Sequence, residues 1–170
     1  MSNTFDGKFY EDVFVFDGLV YAMEPSLGVL YVYGNSRNSL IKINEIKYPC
    51  RCNDSLFSHS IIVTKEHIIQ CCATFKFVYI MDRSGKVLWR TTIAHISGGW
   101  PILRQVDTEG NILFVNRETN RLVIANVNRP SSQWGVVNLA NFPGLVGVIW
   151  FRHRLHVASF DHMSTFTPAE

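Results

Sequence analysis

Apolar residues along this chain occur in short runs, and Gly, Asn, Asp, Pro or Ser residues separate the runs. The clearest example spans residues 101–127, where polar turns at 107–110 and 116–120 separate three apolar runs. Short apolar runs bounded by turn residues are typical of antiparallel strands, and no segment shows the period of an amphipathic helix. The pattern therefore predicts a three-stranded meander over this stretch and an all-β chain.

The same order of strand, turn and strand recurs along the sequence. The middle strands of four similar units begin at residues 29, 68, 112 and 155, which gives intervals of 39, 44 and 43 residues. A period of roughly 40–50 residues is that of a four-stranded propeller blade, whose apolar faces are buried by neighbouring blades. We therefore predict a β-propeller or partial propeller in a single domain, 1–170. Its predicted units are residues 17–45, 61–93, 101–139 and 143–170.

The two ends of the chain leave strands unassigned. Residues 13–16 form an apolar strand ahead of the first unit, and the last unit stops after three strands. One hypothesis is that residues 13–16 complete the last unit, which would close a ring and remove two sheet edges. The alternative is a piece of a larger propeller, and an incomplete ring would favour a homodimer.

Two stretches resemble known propeller repeats. Residues 101–127 resemble an NHL repeat, through Pro101, Asp107, Gly110-Asn111 and Asn120-Arg121-Leu122 in that order, although Asn116 replaces the usual Asp. This resemblance implies a propeller that can bind RNA. Residues 77–89, with their Tyr, Asp, Gly and Trp, look like a quinoprotein-type repeat. That second resemblance implies a propeller enzyme with a cofactor or metal in its central channel.

Composition narrows the class of protein further. The chain is 47% hydrophobic and 18% charged, as expected of a globular protein, and its net charge of +2 favours neither a nucleic-acid nor a membrane partner. The most apolar run, residues 145–151, is too short to span a bilayer. With no secretory leader, we expect a cytoplasmic protein. We accordingly expect free thiols at Cys50, Cys52, Cys71 and Cys72.

The sequence contains no local motif for catalysis. Gly-x-Ser-x-Gly is absent, and Gly98-Gly99 lacks the Lys-Ser/Thr of a phosphate-binding loop. The cysteine spacing does not match structural zinc sites, and His153 and His156 would point to opposite faces of a strand. His162 and Asp161 follow nearby, so a metal or a pH-sensitive contact is an alternative to ordinary surface or core histidines. We predict no catalytic residue, no metal site and no cofactor.

Arginine and tryptophan residues in and near the turns suggest a partner surface. Turn residues of successive blades lie on common faces of a propeller, where they either contact a partner or face solvent. The candidate partner-binding residues are Arg83, Trp100, Arg104, Arg117, Arg121 and Trp134. The main prediction is a non-catalytic scaffold that binds a protein or peptide. Single-stranded RNA is the alternative ligand, because aromatic rings can stack on bases and arginines can contact phosphates.

Overall fold

The fold is known from a computed structural model, which describes eleven segments of the chain. They are residues 10–37, 39–50, 59–72, 77–92, 101–106, 110–116, 121–127, 135–138, 145–151, 154–159 and 163–166. The regular structure in these segments is β-strand. None of them contains a helix with the length and apolar character that crossing a membrane requires.

Fifteen strands lie within the described segments. In chain order they are β1 Asp12–Phe16, β2 Leu19–Glu24, β3 Val29–Ser36, β4 Ser39–Lys47, β5 His59–Val63, β6 His67–Cys72, β7 Phe77–Asp82, β8 Val87–Thr92, β9 Pro101–Val106, β10 Asn111–Asn116, β11 Arg121–Asn126, β12 Gly135–Asn138, β13 Leu145–Phe151, β14 Arg154–Ser159 and β15 Met163–Phe166. They form four sheets, in the orders β1-β2-β3-β4, β5-β6-β7-β8, β12-β11-β10-β9 and β13-β14-β15. The predicted all-β chain of about four antiparallel meander units is confirmed.

The chain divides into two compact units, Met1–Arg90 and Thr91–Glu170. The first unit holds the sheets β1–β4 and β5–β8, and β8 ends just past the boundary. The second unit holds β9–β12 and β13–β15.

Strand β1 belongs to the first sheet, so the hypothesis that residues 13–16 complete the last unit is wrong. β1 pairs with β2 from Asp12↔Met23 to Phe16↔Leu19. The two residues between the strands, Asp17 and Gly18, have φ angles of 51° and 71°. Positive φ at both positions is the geometry of the tightest hairpin turns, for which Asp-Gly is a preferred sequence. The turn residues therefore hold β1 beside its nearest neighbour in sequence.

The core of the first unit lies between its two sheets. One face of the first sheet, which we call the front face, packs on the second sheet. Its apolar side chains in this core are Phe14, Phe16, Leu19, Tyr21, Met23, Leu30, Val32 and Ile46. The second sheet contributes Ile61, Val63, Ile68, Cys72, Tyr79 and Met81. Strands with alternating apolar residues pack in this way because successive side chains point to opposite faces. On the back face of the first sheet a separate buried cluster contains Tyr10, Tyr31 and Tyr33.

A disulfide joins the end of the first sheet to the second sheet. Cys50 and Cys72 are bonded, with Cα atoms 6.3 Å apart. The expectation of free thiols is therefore wrong for these two residues, whereas Cys71 is buried and is not part of a disulfide. Cys72 points into the front-face core that also contains Cys50, whereas Cys71 alternates to the other face of its sheet. Cys52 lies outside the described residues.

The second unit contains the predicted meander of residues 101–127. β10 pairs with β9 and with β11, in the latter case from Asn111↔Asn126 to Asn116↔Arg121. Gly110, at the turn before β10, has a φ of 81° and its carbonyl accepts a hydrogen bond from the Val127 amide at 2.8 Å. Part of the unit's core is made of Leu113, Val115, Leu122, Val148, Leu155 and Val157.

Candidate partner-binding surface

Two of the six predicted partner-binding residues have described side chains. Arg83 lies in the β7–β8 turn of the first unit, and Arg121 begins β11 of the second unit with its side chain exposed. Arg104 lies in β9, but its side chain is outside the described part of the structure. The other three, Trp100, Arg117 and Trp134, are outside the described residues altogether.

Arg83 contacts the first sheet and the β5–β6 turn. Its Nη1 donates a hydrogen bond to the Thr64 carbonyl at 2.5 Å, and its Nη2 donates to the Tyr21 hydroxyl. The guanidinium carbon lies 5.5 Å from the centre of the Phe16 ring and 5.2 Å from that of Tyr21. Both distances permit cation–π attraction. The guanidinium is thus held in one place by two hydrogen bonds and two aromatic rings.

The turn that carries Arg83 is itself tightly ordered. The Asp82 Oδ1 accepts hydrogen bonds from the Ser84 hydroxyl at 2.6 Å, from the Ser84 amide at 2.9 Å and from the Lys86 amide at 3.1 Å. These bonds, with the Ser84 hydroxyl contributing most, lower the pKa of Asp82. Gly85 supplies the positive φ of 90°. A Cβ at Gly85 would lie 2.5 Å from Ile46 Cγ2 and 2.9 Å from the Lys47 carbonyl, so the turn packs directly on β4.

Beyond this turn, the front face of the first sheet ends in a row of apolar residues that are not fully buried. The register pairs Phe16 with Leu19, Leu19 with Gly34, and Gly34 with Ile41, which places the four residues side by side on one face. The register shifts at Val32/Tyr33, so Ile43 is an extra residue of β4 with no partner in β3. Its Cγ2 would lie 3.5 Å from a Cβ added to Gly34, which places Ile43 next to Gly34 on this face. We call Phe16, Leu19, Gly34, Ile41 and Ile43 the apolar end strip.

Exposure increases along the apolar end strip from its inner to its outer end. Phe16 and Leu19 are half-buried, whereas Ile41 and Ile43 are 50% and 56% exposed. In the next row of the same face, Tyr21 and Val32 are 1% and 3% exposed, and the exposed residue at its outer end is the polar Asn44. The strip is therefore one side chain wide, and Arg83 lies at its inner end, over Phe16.

The charge of Arg83 is not neutralised within the described residues, where no carboxylate lies within ion-pair distance of it. Burial raises the pKa of Tyr21, while the Arg83 charge acts to lower it and the Asp17 carboxylate acts to raise it. Asp17 is near enough to influence Tyr21, but it is exposed and forms no ion pair with Arg83. Among the described residues, Thr64 and Tyr21 use two of the five guanidinium N–H groups, so three have no acceptor there.

A second group of polar residues lies deep in the first unit. The Tyr48 hydroxyl, Gln70 Oε1 and Glu24 Oε2 are buried and have no hydrogen-bond partner within the described part. Gln70 is 0% exposed, and its Nε2 contacts the Met23 sulfur at 3.9 Å. Burial, reinforced by the nearby Glu11 and Glu24 charges, raises the pKa of Tyr48. The described residues contain no group of three or more His, Cys, Asp or Glu side chains placed to hold a metal ion.

Comparison with known proteins identifies the fold. BamB from Moraxella catarrhalis is similar with a TM-score of 0.52 and 18% identity, over 90% of this chain and 42% of BamB. The Pan2 WD40 domain of Neurospora crassa has a TM-score of 0.60 and 12% identity, over 88% of this chain and 43% of the domain. A virginiamycin B lyase from Staphylococcus aureus has a TM-score of 0.58 and 9% identity, over 93% of this chain and 55% of the lyase. All three are β-propeller proteins.

The chain has a propeller fold, in whole or in part. It spans well under half the length of the first two similar structures, so a partial propeller fits. No protein-family model matches the sequence. No curated protein matches it either. At these low identities the likeness concerns the fold only, and function must be argued from the surface of this chain.

The sequence pointed to Arg83 but not to the apolar end strip. Ile41 and Ile43 lie in the predicted unit of residues 17–45, whose apolar runs are expected to be buried. Their exposure depends on the extra residue in β4 and on where the second sheet stops covering the first. The sequence signal for the strip was a pair of apolar residues two positions apart in an outer strand, opposite a glycine of the neighbouring strand.

Proposed function

We propose that this protein is a non-catalytic interaction scaffold that binds a polypeptide partner on the first unit. The observation that carries the proposal is the apolar end strip, which has two isoleucines at least half exposed at its outer end and a fixed guanidinium at its inner end. Isolated exposed apolar side chains are common, but a contiguous apolar row with a charged residue at its end is typical of a docking site. Similar folds include both a WD40 domain and a lyase, so the surface and not the fold supports this choice.

The partner would bind through side chains and not by adding a strand to the sheet. β4 is the outer strand of its sheet, but it carries an extra residue at Ile43 and the charged residues Lys42 and Lys47. Bulges and lysines on an outer strand disfavour the pairing of another strand. Lys42 is also ion-paired with Glu45 at 2.6 Å. The apolar side chains of the strip therefore offer the better contact.

Affinity capture with matched variants tests the proposed function. The double variant Ile41→Ser/Ile43→Ser should lose partners that the unmodified protein retains, because burying each exposed isoleucine contributes about 1 kcal/mol or more. Ile149→Ser, which changes a residue of similar exposure in the second unit, is the control. Recovered partners are then measured in purified form, and equal affinity for all three proteins would contradict the proposal.

RNA binding by the second unit is the second candidate function. It rests on the resemblance of residues 101–127 to an NHL repeat and on the exposed Arg121 at the start of β11. A salt titration of binding to single-stranded RNA should show affinity that falls as salt rises, with Arg121→Ala reducing the slope by about one. Binding that is insensitive to salt and to this substitution would eliminate RNA as the ligand.

A further inference from the structure

We propose that the partner is an extended peptide with the spacing acid-x-apolar-x-apolar. In this proposal Arg83 binds the acidic side chain of the peptide. This inference rests on the proposed function, because it assigns a chemistry to the ligand of the same surface. It follows from the width and length of the apolar end strip and from the state of the Arg83 guanidinium.

The width of the strip favours an extended chain. Among the described residues, the exposed apolar side chains of the front face lie in one row, because Tyr21 and Val32 in the next row are buried and Asn44 at its outer end is polar. A helix with its side chains is about 10–12 Å across, whereas one extended chain is matched by a single row of side chains.

The length of the strip sets the spacing of the side chains that occupy it. From Phe16 to Ile41 it crosses three strand-to-strand intervals, which amounts to roughly 14 Å. Alternate residues of an extended chain point to the same side and lie roughly 6.6 Å apart. Residues i, i+2 and i+4 of the peptide therefore cover the strip from its inner to its outer end.

The chemistry at the inner end favours a carboxylate. The guanidinium is already fixed by Thr64, Tyr21 and Phe16, so a ligand need not order it. Among the described residues, no carboxylate lies within ion-pair distance of the guanidinium to compensate its charge. Three of its N–H groups have no acceptor among those residues and can donate to a ligand. A charge-assisted hydrogen bond at a partly desolvated arginine is among the stronger polar contacts available.

A side-chain carboxylate suits this position better than the carboxyl end of a peptide. Arg83 is half-buried against the Phe16 and Tyr21 rings, so the acid must extend inward from the peptide backbone. Glutamate has the longest carboxylate side chain among the standard residues. Ile41 and Ile43 at the outer end then contact the two apolar residues that follow.

Selection from a peptide library tests the spacing. Displayed peptides that are fused at their carboxyl ends present no free terminal carboxylate. Those selected by the unmodified protein should contain an acidic residue followed at the second and fourth positions by apolar residues. Selected peptides that bind Ile41→Ser/Ile43→Ser as well as the unmodified protein would overturn both the proposed function and this inference. Peptides that need these isoleucines but lack an acid would overturn the inference alone.

A double-mutant comparison tests the role of Arg83. Replacing the peptide glutamate by glutamine should weaken binding at least tenfold, and Arg83→Gln should remove the difference between the two peptides. Arg90→Gln is the matched control, because Arg90 lies over the Phe77 ring at 4.8 Å in the same hairpin and should leave both affinities unchanged. An Arg83→Gln protein that still prefers glutamate tenfold would overturn the inference.

A conservative variant separates recognition from folding. Arg83→Lys keeps the positive charge but loses the planar fork, so we expect weaker binding that still favours glutamate and is sensitive to salt. Thermal unfolding of both Arg83 variants shows whether the sheet contacts survive. A folded Arg83→Lys protein with no preference for the glutamate peptide would overturn the inference that the charge at this position binds the peptide carboxylate.

Discussion

Two buried tyrosine hydroxyl groups in the first unit differ in their hydrogen bonding. The Tyr33 hydroxyl forms a 2.5 Å hydrogen bond with that of Tyr10, whereas the Tyr48 hydroxyl is buried with no partner within the described residues. A satisfied buried hydroxyl contributes about 1 kcal/mol to stability, and an unsatisfied one costs a similar amount. The same chemical change at the two positions should therefore have opposite effects.

Tyr48→Phe is expected to leave the free energy of unfolding unchanged or to raise it by about 1 kcal/mol. Tyr33→Phe should lower it by about 1 kcal/mol, because the Tyr10 hydroxyl loses this partner. Urea denaturation of the two variants and the unmodified protein measures both effects. A clear loss of stability in Tyr48→Phe would show that the Tyr48 hydroxyl has a partner and contradict this account.

At the scale of strands and turns, the β7–β8 turn of the second sheet packs closely on β4 of the first sheet. Gly85 and Gly18 both have positive φ, 90° and 71°, so alanine is strained at either position. Only at Gly85 would the new Cβ meet neighbouring atoms, whereas nothing lies within 4 Å at Gly18. Alanine at Gly18 therefore tests backbone strain alone, whereas alanine at Gly85 tests backbone strain together with a packing clash.

Gly18→Ala should destabilise the protein by about 1–2 kcal/mol through backbone strain alone. Gly85→Ala should cost more, because Ile46 and the Lys47 carbonyl would have to move. Thermal or urea unfolding of both variants provides the comparison. Equal losses would mean that the turn does not pack tightly on β4.

The disulfide adds a covalent link between the same two sheets. It closes a loop of 22 residues, for which chain entropy predicts a stabilisation of about 3 kcal/mol. Cys50→Ser should therefore unfold at lower urea concentration. Peptide mapping without reductant should find residues 50 and 72 in one cross-linked fragment, and a protein alkylated at both would contradict the assignment.

Sequence patterns were sufficient for local elements and insufficient for contacts between them. The apolar runs and turn residues predicted the meander of 101–127, in which β10 pairs with both β9 and β11. The Cys50–Cys72 bond joins the segment after β4 to β6 of the second sheet, so no local pattern encodes it. The position of β1 was encoded locally, in Asp17-Gly18, but the incomplete last unit suggested the wrong partner.

At the scale of the whole molecule, three buried groups are expected to make the free energy of unfolding decrease at alkaline pH. Burial raises the pKa of Cys71 from 9.0 to about 12, and it also raises those of Tyr48 and Tyr21. Each group favours the neutral form when folded, so the unfolded state loses protons first as pH rises. The stability they contribute is present below pH 9 and is lost progressively above it.

The free energy of unfolding is therefore expected to fall as the pH rises from 9.0 to about 12. Cys71→Ala should reduce the steepness of that fall, although the smaller side chain lowers stability at every pH. Urea titrations at several pH values, without reductant, measure both quantities. A stability that rises with pH over this range would contradict the burial of these groups.

The central claim is that the apolar end strip and Arg83 form the partner-binding surface. Isotope-labelled isoleucine methyl groups, followed by NMR during titration with a selected acidic–apolar peptide, test it most directly. The account predicts large shifts for the Ile41 and Ile43 methyl groups and none for Ile149, which is 51% exposed in the second unit. Unchanged Ile41 and Ile43 signals at saturating peptide would contradict the claim.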